Sequence, residues 1–180
     1  MVREGAGESP CDGSMIDMKY RGSLVGEDWW TARDVADCWL SEIQGMAILT
    51  EKFVALGLDY NKVIDPAFFS EAFVQDSLGL SNKVQCKKLV MAAKRLAKTR
   101  DEFPVGTVFD EKDTFQFELG KKRIIRGIEL GVKSMKVGEI SKIVVRCDFA
   151  YGGEGLRKSS GIILVPPFAT LCFEIELLSC

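Results

Sequence analysis

Apolar and polar positions alternate along the C-terminal part of the chain. The stretches TFQFEL (114–119) and ATLCFEIELL (169–178) alternate, and EISKIVVRC (139–147) holds a continuous apolar run. Such patterns predict β-strands with one buried face. Apolar residues of IIRGIELGVKSM (124–135) recur at close to helical spacing, so we expect a short amphipathic helix on the sheet. This part of the chain is predicted to be α+β.

The pattern turns helical between about residues 27 and 103. Apolar residues recur there at spacings of three and four, first at Val35, Trp39, Leu40 and Ile43, and again at Leu89, Val90, Ala93, Leu96 and Ala97. We therefore predict an all-α unit, flanked on both sides by strand-like sequence.

Local signals place helix starts within this unit. Thr31 with Asp34 three residues later resembles a capping box, and Ser81 is a candidate N-cap for the last helix. Asp65 and Pro66 could open a short helix with proline in its first turn.

The composition of the chain limits the kinds of catalytic and metal site that it can form. The chain has 180 residues, 47% of them hydrophobic and 28% charged, a formal net charge of -2 and no histidine. The absence of imidazole excludes Ser-His-Asp triads, histidine general bases and histidine metal ligands. The six cysteines form no CxxC pair, so we expect reduced thiols, a cytoplasmic location, and no metal or cofactor. No apolar run reaches the roughly 18 residues of a membrane span.

Several motifs occur in a recognisable order in the C-terminal part. LGKKRIIRGIELGVKSMKVGEISKIVVRCDFAYGGEG is followed by IILVPPFATLCFEIELL and preceded by VGTVFDEKDTFQFEL. Together they resemble the FKBP-type peptidyl-prolyl cis-trans isomerases. The resemblance implies an antiparallel sheet wrapped on one short helix, and isomerisation of X-Pro bonds without a cofactor.

That family has one more strand, which the resemblance places at the N-terminus. REGAGESPCDGSMIDMKYRGSLVG, with Tyr20 in its YRGSL motif, is similar to the missing segment. We therefore expect a discontinuous isomerase domain formed by residues 1–26 and 104–180. The helical unit, residues 27–103, would be inserted in a loop between two strands.

The resemblance also implies the site residues. The catalytic set would be Tyr20, Phe109, Asp110, Ile125, Tyr151 and Phe173, with Tyr151 donating its hydroxyl, and Ile125 its backbone N–H, to a substrate carbonyl. The remaining substrate-binding residues would be Phe115, Ile124, Ile128, Leu164 and Val165. Proline-containing peptides or proteins are the expected partners, together with inhibitors of the macrolide immunosuppressant type.

Three departures from the family keep an alternative open. Ile128 stands where the family often has tryptophan, the stretch between Asp110 and Phe115 is short and brings no arginine partner for Asp110, and the loop over residues 152–164 is long. An FKBP fold that binds but turns substrate over weakly is therefore the rival reading.

The helical insert resembles a SAM domain, through WTARDVADCWL, FVALGLDYNKVIDPAFF and DSLGLSNKVQCKKLVMAAKRL. Its charges are separated: residues 77–100 hold seven basic and no acidic residues, and residues 51–76 hold five acids. A basic helix is most often simply a solvated face, but complementary faces on one small bundle also suit head-to-tail self-association or a protein partner. RNA binding through the basic helix is less favoured, because no aromatic stacking residues accompany the lysines.

Overall fold

The computed structural model of the chain describes residues 3–25 and 30–180. The chain divides into two compact units, unit 1 (Met1–Val25 with Val105–Cys180) and unit 2 (Gly26–Pro104). The boundary expected between residues 26 and 27 lies outside the described residues.

Six strands and six α-helices make up the described chain. In chain order they are β1 (Met15–Val25), α1 (Ala32–Cys38), α2 (Thr50–Ala55), α3 (Tyr60–Ile64), α4 (Glu71–Asp76), α5 (Lys83–Glu102), β2 (Val108–Glu118), α6 (Arg126–Ser134), β3 (Ile140–Val145), β4 (Leu156–Arg157), β5 (Ile163–Val165) and β6 (Thr170–Ser179). Short 3₁₀ turns occur at Leu40–Glu42, Ala47–Leu49 and Cys147–Phe149.

Unit 1 is built on a four-stranded antiparallel sheet in the order β2-β1-β6-β3. β1 is a central strand, although more than 80 residues separate it from β2 in the sequence. Alternate residues of β6, including Leu171, Phe173, Ile175 and Leu177, are buried, and the strands predicted from alternation are confirmed. β4 and β5 form a separate two-stranded hairpin.

α6 packs closely on β3 because two glycines face the strand. A Cβ added at Gly127 would lie 2.2 Å from Cγ1 of Val145, and one at Gly131 would lie 2.3 Å from Cδ1 of Ile143. Ile128 and Val132 on the same helix are buried. The glycines therefore fix the distance between the helix and the sheet, and with it the place where the helix begins.

Unit 2 is a bundle of five α-helices around an aromatic core. Trp39, Phe53 and Phe69 are each at most 2% exposed, with ring centroids 6.0 to 6.5 Å apart. The long last helix, α5, buries Leu89, Val90, Ala93 and Leu96, as its spacing predicts.

Two of the predicted helix starts need correction. The capping box of Thr31 and Asp34 is present, but α5 is capped by Asn82 rather than Ser81, because the Asn82 side chain accepts hydrogen bonds from the Val84 and Gln85 N–H groups. Asp65 and Pro66 begin a turn and not a helix. The identification of the bundle as SAM-like stays a prediction.

The remaining general features concern cysteines, metals and membrane. All six cysteines are free thiols. Within residues 3–25 and 30–180, no cluster of potential ligands could hold a metal ion. None of the described helices is both long enough and apolar enough to cross a membrane.

The two places where unit 1 is interrupted lie side by side. The Leu24 N–H donates to the Thr107 carbonyl at 2.9 Å, and the Gly106 N–H donates to the Leu24 carbonyl at 2.8 Å. A short turn could therefore join β1 to β2 without moving either strand.

We predict that unit 1 folds without the insert. When residues 27–103 are replaced by a short glycine-containing turn, the loop-closure term should change by only about 0.6 kcal/mol for each halving of loop length. The shortened chain should unfold in urea as one cooperative transition.

A fragment of residues 104–180 is the control for this prediction. It lacks β1, so the edges of β2 and β6 would be left unpaired, and we expect it to be poorly folded. A stable 104–180 fragment would show that β1 is not needed for the fold.

Candidate active site

A cavity of about 540 Å³ opens in unit 1 where β1, β2 and the start of α6 meet. Nine of the eleven predicted site residues line it: Tyr20, Phe109, Asp110, Phe115, Ile124, Ile125, Ile128, Tyr151 and Phe173. They come from five separate stretches of the chain, and the fold of unit 1 brings them together.

Four rings form one continuous side of the cavity, here called the aromatic wall: Phe109, Phe173, Tyr20 and Phe115. Phe109 meets Phe173 edge to face at 5.7 Å, Tyr20 lies 6.3 Å from Phe173, and Phe115 meets Tyr20 edge to face at 5.6 Å. Such contacts stabilise aromatic pairs beyond simple burial. The aromatic wall is therefore rigid and apolar.

A glycine in β1 allows the rings to approach the backbone. A Cβ added at Gly22 would lie 2.7 Å from Cζ of Phe109 and 2.9 Å from Cε1 of Phe173. Any larger residue would have to displace both rings. Gly22 is thus part of the construction of the aromatic wall.

The carboxylate in the cavity is held by a tyrosine. The Tyr20 hydroxyl donates to Oδ2 of Asp110 at 2.5 Å, which links β1 to β2. Asp110 thus has a partner, although the sequence offers it no arginine at the expected place. Burial, followed by the hydrogen bond and the negative charge of Asp110, raises the pKa of Tyr20 well above its ordinary value of 10.0.

Two hydrogen-bond donors of the cavity lining have no acceptor among the described residues. In the described part of the chain, the Tyr151 hydroxyl and the Ile125 N–H donate to no other group. Burial and the charge of Asp110 raise the pKa of Tyr151, so its hydroxyl keeps its proton at neutral pH. Both groups are therefore available to an acceptor within the cavity.

The floor of the cavity is aliphatic. Ile128, in the first turn of α6, is 5% exposed and lines the cavity, and Ile124 and Ile125 precede the helix as half-buried residues. These aliphatic side chains add to the apolar part of the lining, which suits a small, uncharged ring.

The structure does not bring the last two predicted residues into the cavity lining. Leu164 and Val165 lie in β5, which pairs with β4 so that Val165 faces Leu156. Val165 is only 1% exposed, in the interior of unit 1. Both residues belong to the β4–β5 hairpin and are absent from the cavity lining.

Six further residues line the cavity and were not predicted: Met18, Lys112, Lys122, Arg123, Arg126 and Ala150. Met18 could have been found, since it lies two positions before Tyr20 and therefore on the same face of β1. Nothing in the local pattern shows that Lys112 and the basic residues before α6 share one cavity.

Comparison with known families and proteins agrees with these motifs. The model of FKBP-type peptidyl-prolyl cis-trans isomerases matches residues 91–178. FK506-binding protein 1 of Dictyostelium discoideum is 46% identical over 78 residues, which cover 41% of this chain and 68% of that protein. Peptidyl-prolyl cis-trans isomerase FKBP20-1 of Arabidopsis thaliana is 40% identical over 80 residues, which cover 44% of this chain and 40% of that protein.

A solved structure supports the fold alone. The crystal structure of AtFKBP13 is similar with a TM-score of 0.50 and 16% sequence identity, over 98% of this chain and 86% of that chain. The family match begins at residue 91, so β1 with Tyr20 lies outside it.

We predict that Tyr20 does not ionise at the usual pH of a tyrosine. The chain has three tyrosines, so the Tyr20 contribution to tyrosinate absorbance is obtained by subtracting the titration of Tyr20→Phe from that of the wild type. This difference should stay flat through pH 10, because the pKa is raised in the folded state.

The same shift makes the stability of the protein depend on pH. Tyrosine in the unfolded chain loses its proton near pH 10 while folded Tyr20 keeps it, so the Tyr20 contribution to stability is present below pH 10 and is lost above it. A Tyr20 that ionised at or below pH 10 would contradict the part-buried hydrogen bond from its hydroxyl to Asp110.

Proposed function

Because the chain belongs to the family of FKBP-type peptidyl-prolyl cis-trans isomerases, we propose that the cavity lined by the aromatic wall binds a prolyl side chain and catalyses rotation about the amide bond before it. The observation that carries this proposal is the pairing of an apolar cavity with two free donors, the Tyr151 hydroxyl and the Ile125 N–H.

The chemistry requires neither a nucleophile nor a proton shuttle. The barrier to rotation is about 20 kcal/mol because amide resonance is lost in the twisted state, and the uncatalysed reaction takes tens of seconds. A chain without histidine can therefore perform it.

The residues act on the twisted amide in two ways. The aromatic wall and Ile128 provide an apolar surface. Resonance polarises the planar amide, so this surface stabilises the planar amide less than water does. The Tyr151 hydroxyl and the Ile125 N–H hold the carbonyl oxygen, so that the nitrogen side can rotate. The hydrogen bond from Tyr20 to Asp110 joins β1 to β2 beside the aromatic wall.

The same cavity is proposed to bind macrolide inhibitors. One relative carries FK506 binding in its name. Residues 91–178, which the family model matches, contain most of the residues around the cavity. A rigid macrolide whose ring system fills the apolar cavity would compete with proline-containing peptides or proteins.

The test of the proposed function is an isomerase assay of the intact chain with an X-Pro peptide. Tyr151→Phe removes one hydrogen bond to the substrate carbonyl. It should lower kcat/KM or inhibitor affinity by a factor equivalent to about 0.5 to 1.5 kcal/mol, and the unfolding transition should stay unchanged. Turnover by the wild type supports the enzyme.

Two other results would count against parts of this account. Tight inhibitor binding without turnover would favour the FKBP-fold scaffold in place of the enzyme. An unchanged kcat/KM and affinity in Tyr151→Phe would remove Tyr151 from the site.

For unit 2 we propose self-association or binding of a protein partner by a SAM-like helical bundle. The exposed side of α5 carries the basic residues Lys83, Lys87, Lys88, Lys94, Arg95 and Lys98. The acids Glu51, Glu71 and Asp76 are exposed elsewhere in unit 2. Surfaces of opposite charge on one bundle favour head-to-tail contacts between copies.

We predict that the chain self-associates at low salt and dissociates at high salt, as measured by sedimentation velocity. The double variant Lys94→Glu with Arg95→Glu should stay monomeric. The control, Arg157→Glu with Lys158→Glu, changes an exposed basic pair in unit 1 and should behave as the wild type. A wild-type chain that is monomeric at every concentration would contradict self-association.

A further inference from the structure

The mouth of the cavity is strongly basic in a chain whose formal net charge is -2. Four of the lining residues are cations, Lys112, Lys122, Arg123 and Arg126, here called the basic rim, and all four are exposed. Asp110 is the single carboxylate of the lining, and it already accepts a hydrogen bond from the Tyr20 hydroxyl.

The basic rim has no carboxylate partner in the part of the chain that the structure describes. Among the described residues, none of its four side chains has a carboxylate oxygen within the 4.0 Å of an ion pair. Several other cations of unit 1 are paired, as in Lys19–Asp113 at 2.7 Å and Lys142–Glu174 at 2.8 Å, although Lys136, Arg157 and Lys158 have no ion pair among the described residues. Cations around the cavity are therefore available to a ligand.

A second cavity of unit 1 shows the contrast. It measures about 460 Å³ and shares Tyr20 and Lys112 with the first cavity. Within its lining, Lys19 pairs with Asp113 and Arg21 pairs with Glu111. Glu174 and Glu176 pair with Lys142 and Arg3, which lie outside its lining. Apart from Lys112, each charged residue of that lining therefore has a partner of opposite charge, whereas the cations of the basic rim have none among the described residues.

Two members of the basic rim are held against aromatic rings. Nζ of Lys112 lies 5.0 Å from the centroid of Phe115, and the guanidinium carbon of Arg126 lies 4.8 Å from the centroid of Phe149. Cation–π contacts of this kind orient a charge without neutralising it. Both charges are thus positioned at the cavity.

A third member, Lys122, is retained in a strained backbone conformation. Its φ angle is 54°, in the left-handed region that glycine adopts freely and lysine does not. Glycine would relieve the strain, so the structure keeps a lysine side chain where the backbone disfavours it. This points to a use for the Lys122 charge.

We propose that the basic rim selects X-Pro segments that carry an anionic group next to the prolyl dipeptide. The inference rests on the proposed function and adds the class of substrate. Unpaired cations around a low-dielectric cavity attract and hold negative charge. The anion would be the carboxylate of a neighbouring Asp or Glu, or the phosphate of a neighbouring phosphoserine or phosphothreonine.

The test compares peptides that share one Leu-Pro core and differ only in the flanking residues, which are glutamine, glutamate, phosphoserine or lysine. We measure both Kd and kcat/KM for the intact chain. At low salt, the glutamate peptide should have a Kd about 10-fold lower and a kcat/KM about 10-fold higher than the glutamine peptide. Both differences should shrink at high salt. A larger gain for the phosphoserine peptide would identify phosphate as the source, and equal gains would identify any anion.

Variants of the basic rim test the residues themselves. In Lys122→Gly, Arg123→Gln and Arg126→Gln, the ratio of the glutamate to the glutamine peptide should fall toward one. Lys121→Gln is the matched control, since Lys121 neighbours Lys122 but pairs with Glu118 at 3.5 Å and does not line the cavity. Lys122→Gly should also unfold at an equal or higher temperature than the wild type, because it removes the strain.

The outcomes separate this inference from the proposed function. If the wild type turns over the neutral peptide but shows no preference for anionic peptides, the inference is wrong and the proposed function stands. If it binds anionic peptides more tightly, with the variants losing that preference, but turns over none, the inference stands and the proposed function is wrong.

Discussion

The candidate site depends on one strand, β1, which pairs with β2 on one side and with β6 on the other. β1 lies between strands that the chain reaches only after the whole of unit 2, and it supplies Tyr20 and Gly22 to the cavity. Tyr20 fixes Asp110 across the β1–β2 pair, and Gly22 lets Phe109 and Phe173 close over the sheet. Without β1, β2 would be separated from β6 in the sheet, and the aromatic wall would lack Tyr20. The hydrogen bonds between Leu24, Gly106 and Thr107 explain how a long insertion leaves this pairing intact.

Much of this arrangement can be predicted from the sequence, because buried residues recur at the short spacings of strands and helices. Alternation along β6 and the helical spacing of α6 follow directly from burial on one face, and the motifs around Phe109, Ile125 and Tyr151 place nine site residues in one cavity. The N-cap of α5 was missed by one position, because both Ser81 and Asn82 are good capping residues and only the backbone turn selects between them.

The features that sequence could not give are those set by long-range geometry. Val165 follows the long loop, and only the pairing of β5 with β4 decides that it faces the interior. Asp110 obtains its partner from a strand 90 residues away. The basic rim combines Lys112 of β2 with three residues around the start of α6, and its lack of acidic partners depends on where every carboxylate of unit 1 lies. Such facts belong to the assembled fold and to no single segment.

The most direct test of the dependence on β1 uses the three tyrosines of the chain, Tyr20, Tyr60 and Tyr151, as reporters. The intact protein is labelled with 3-fluorotyrosine, its three ¹⁹F resonances are assigned with single Tyr→Phe variants, and a proline-containing peptide is titrated. The account predicts that Tyr20 and Tyr151 shift with one common saturation constant, while Tyr60, in the core of unit 2, stays unchanged. A titration in which Tyr151 shifts and Tyr20 does not would show that β1 takes no part in the site.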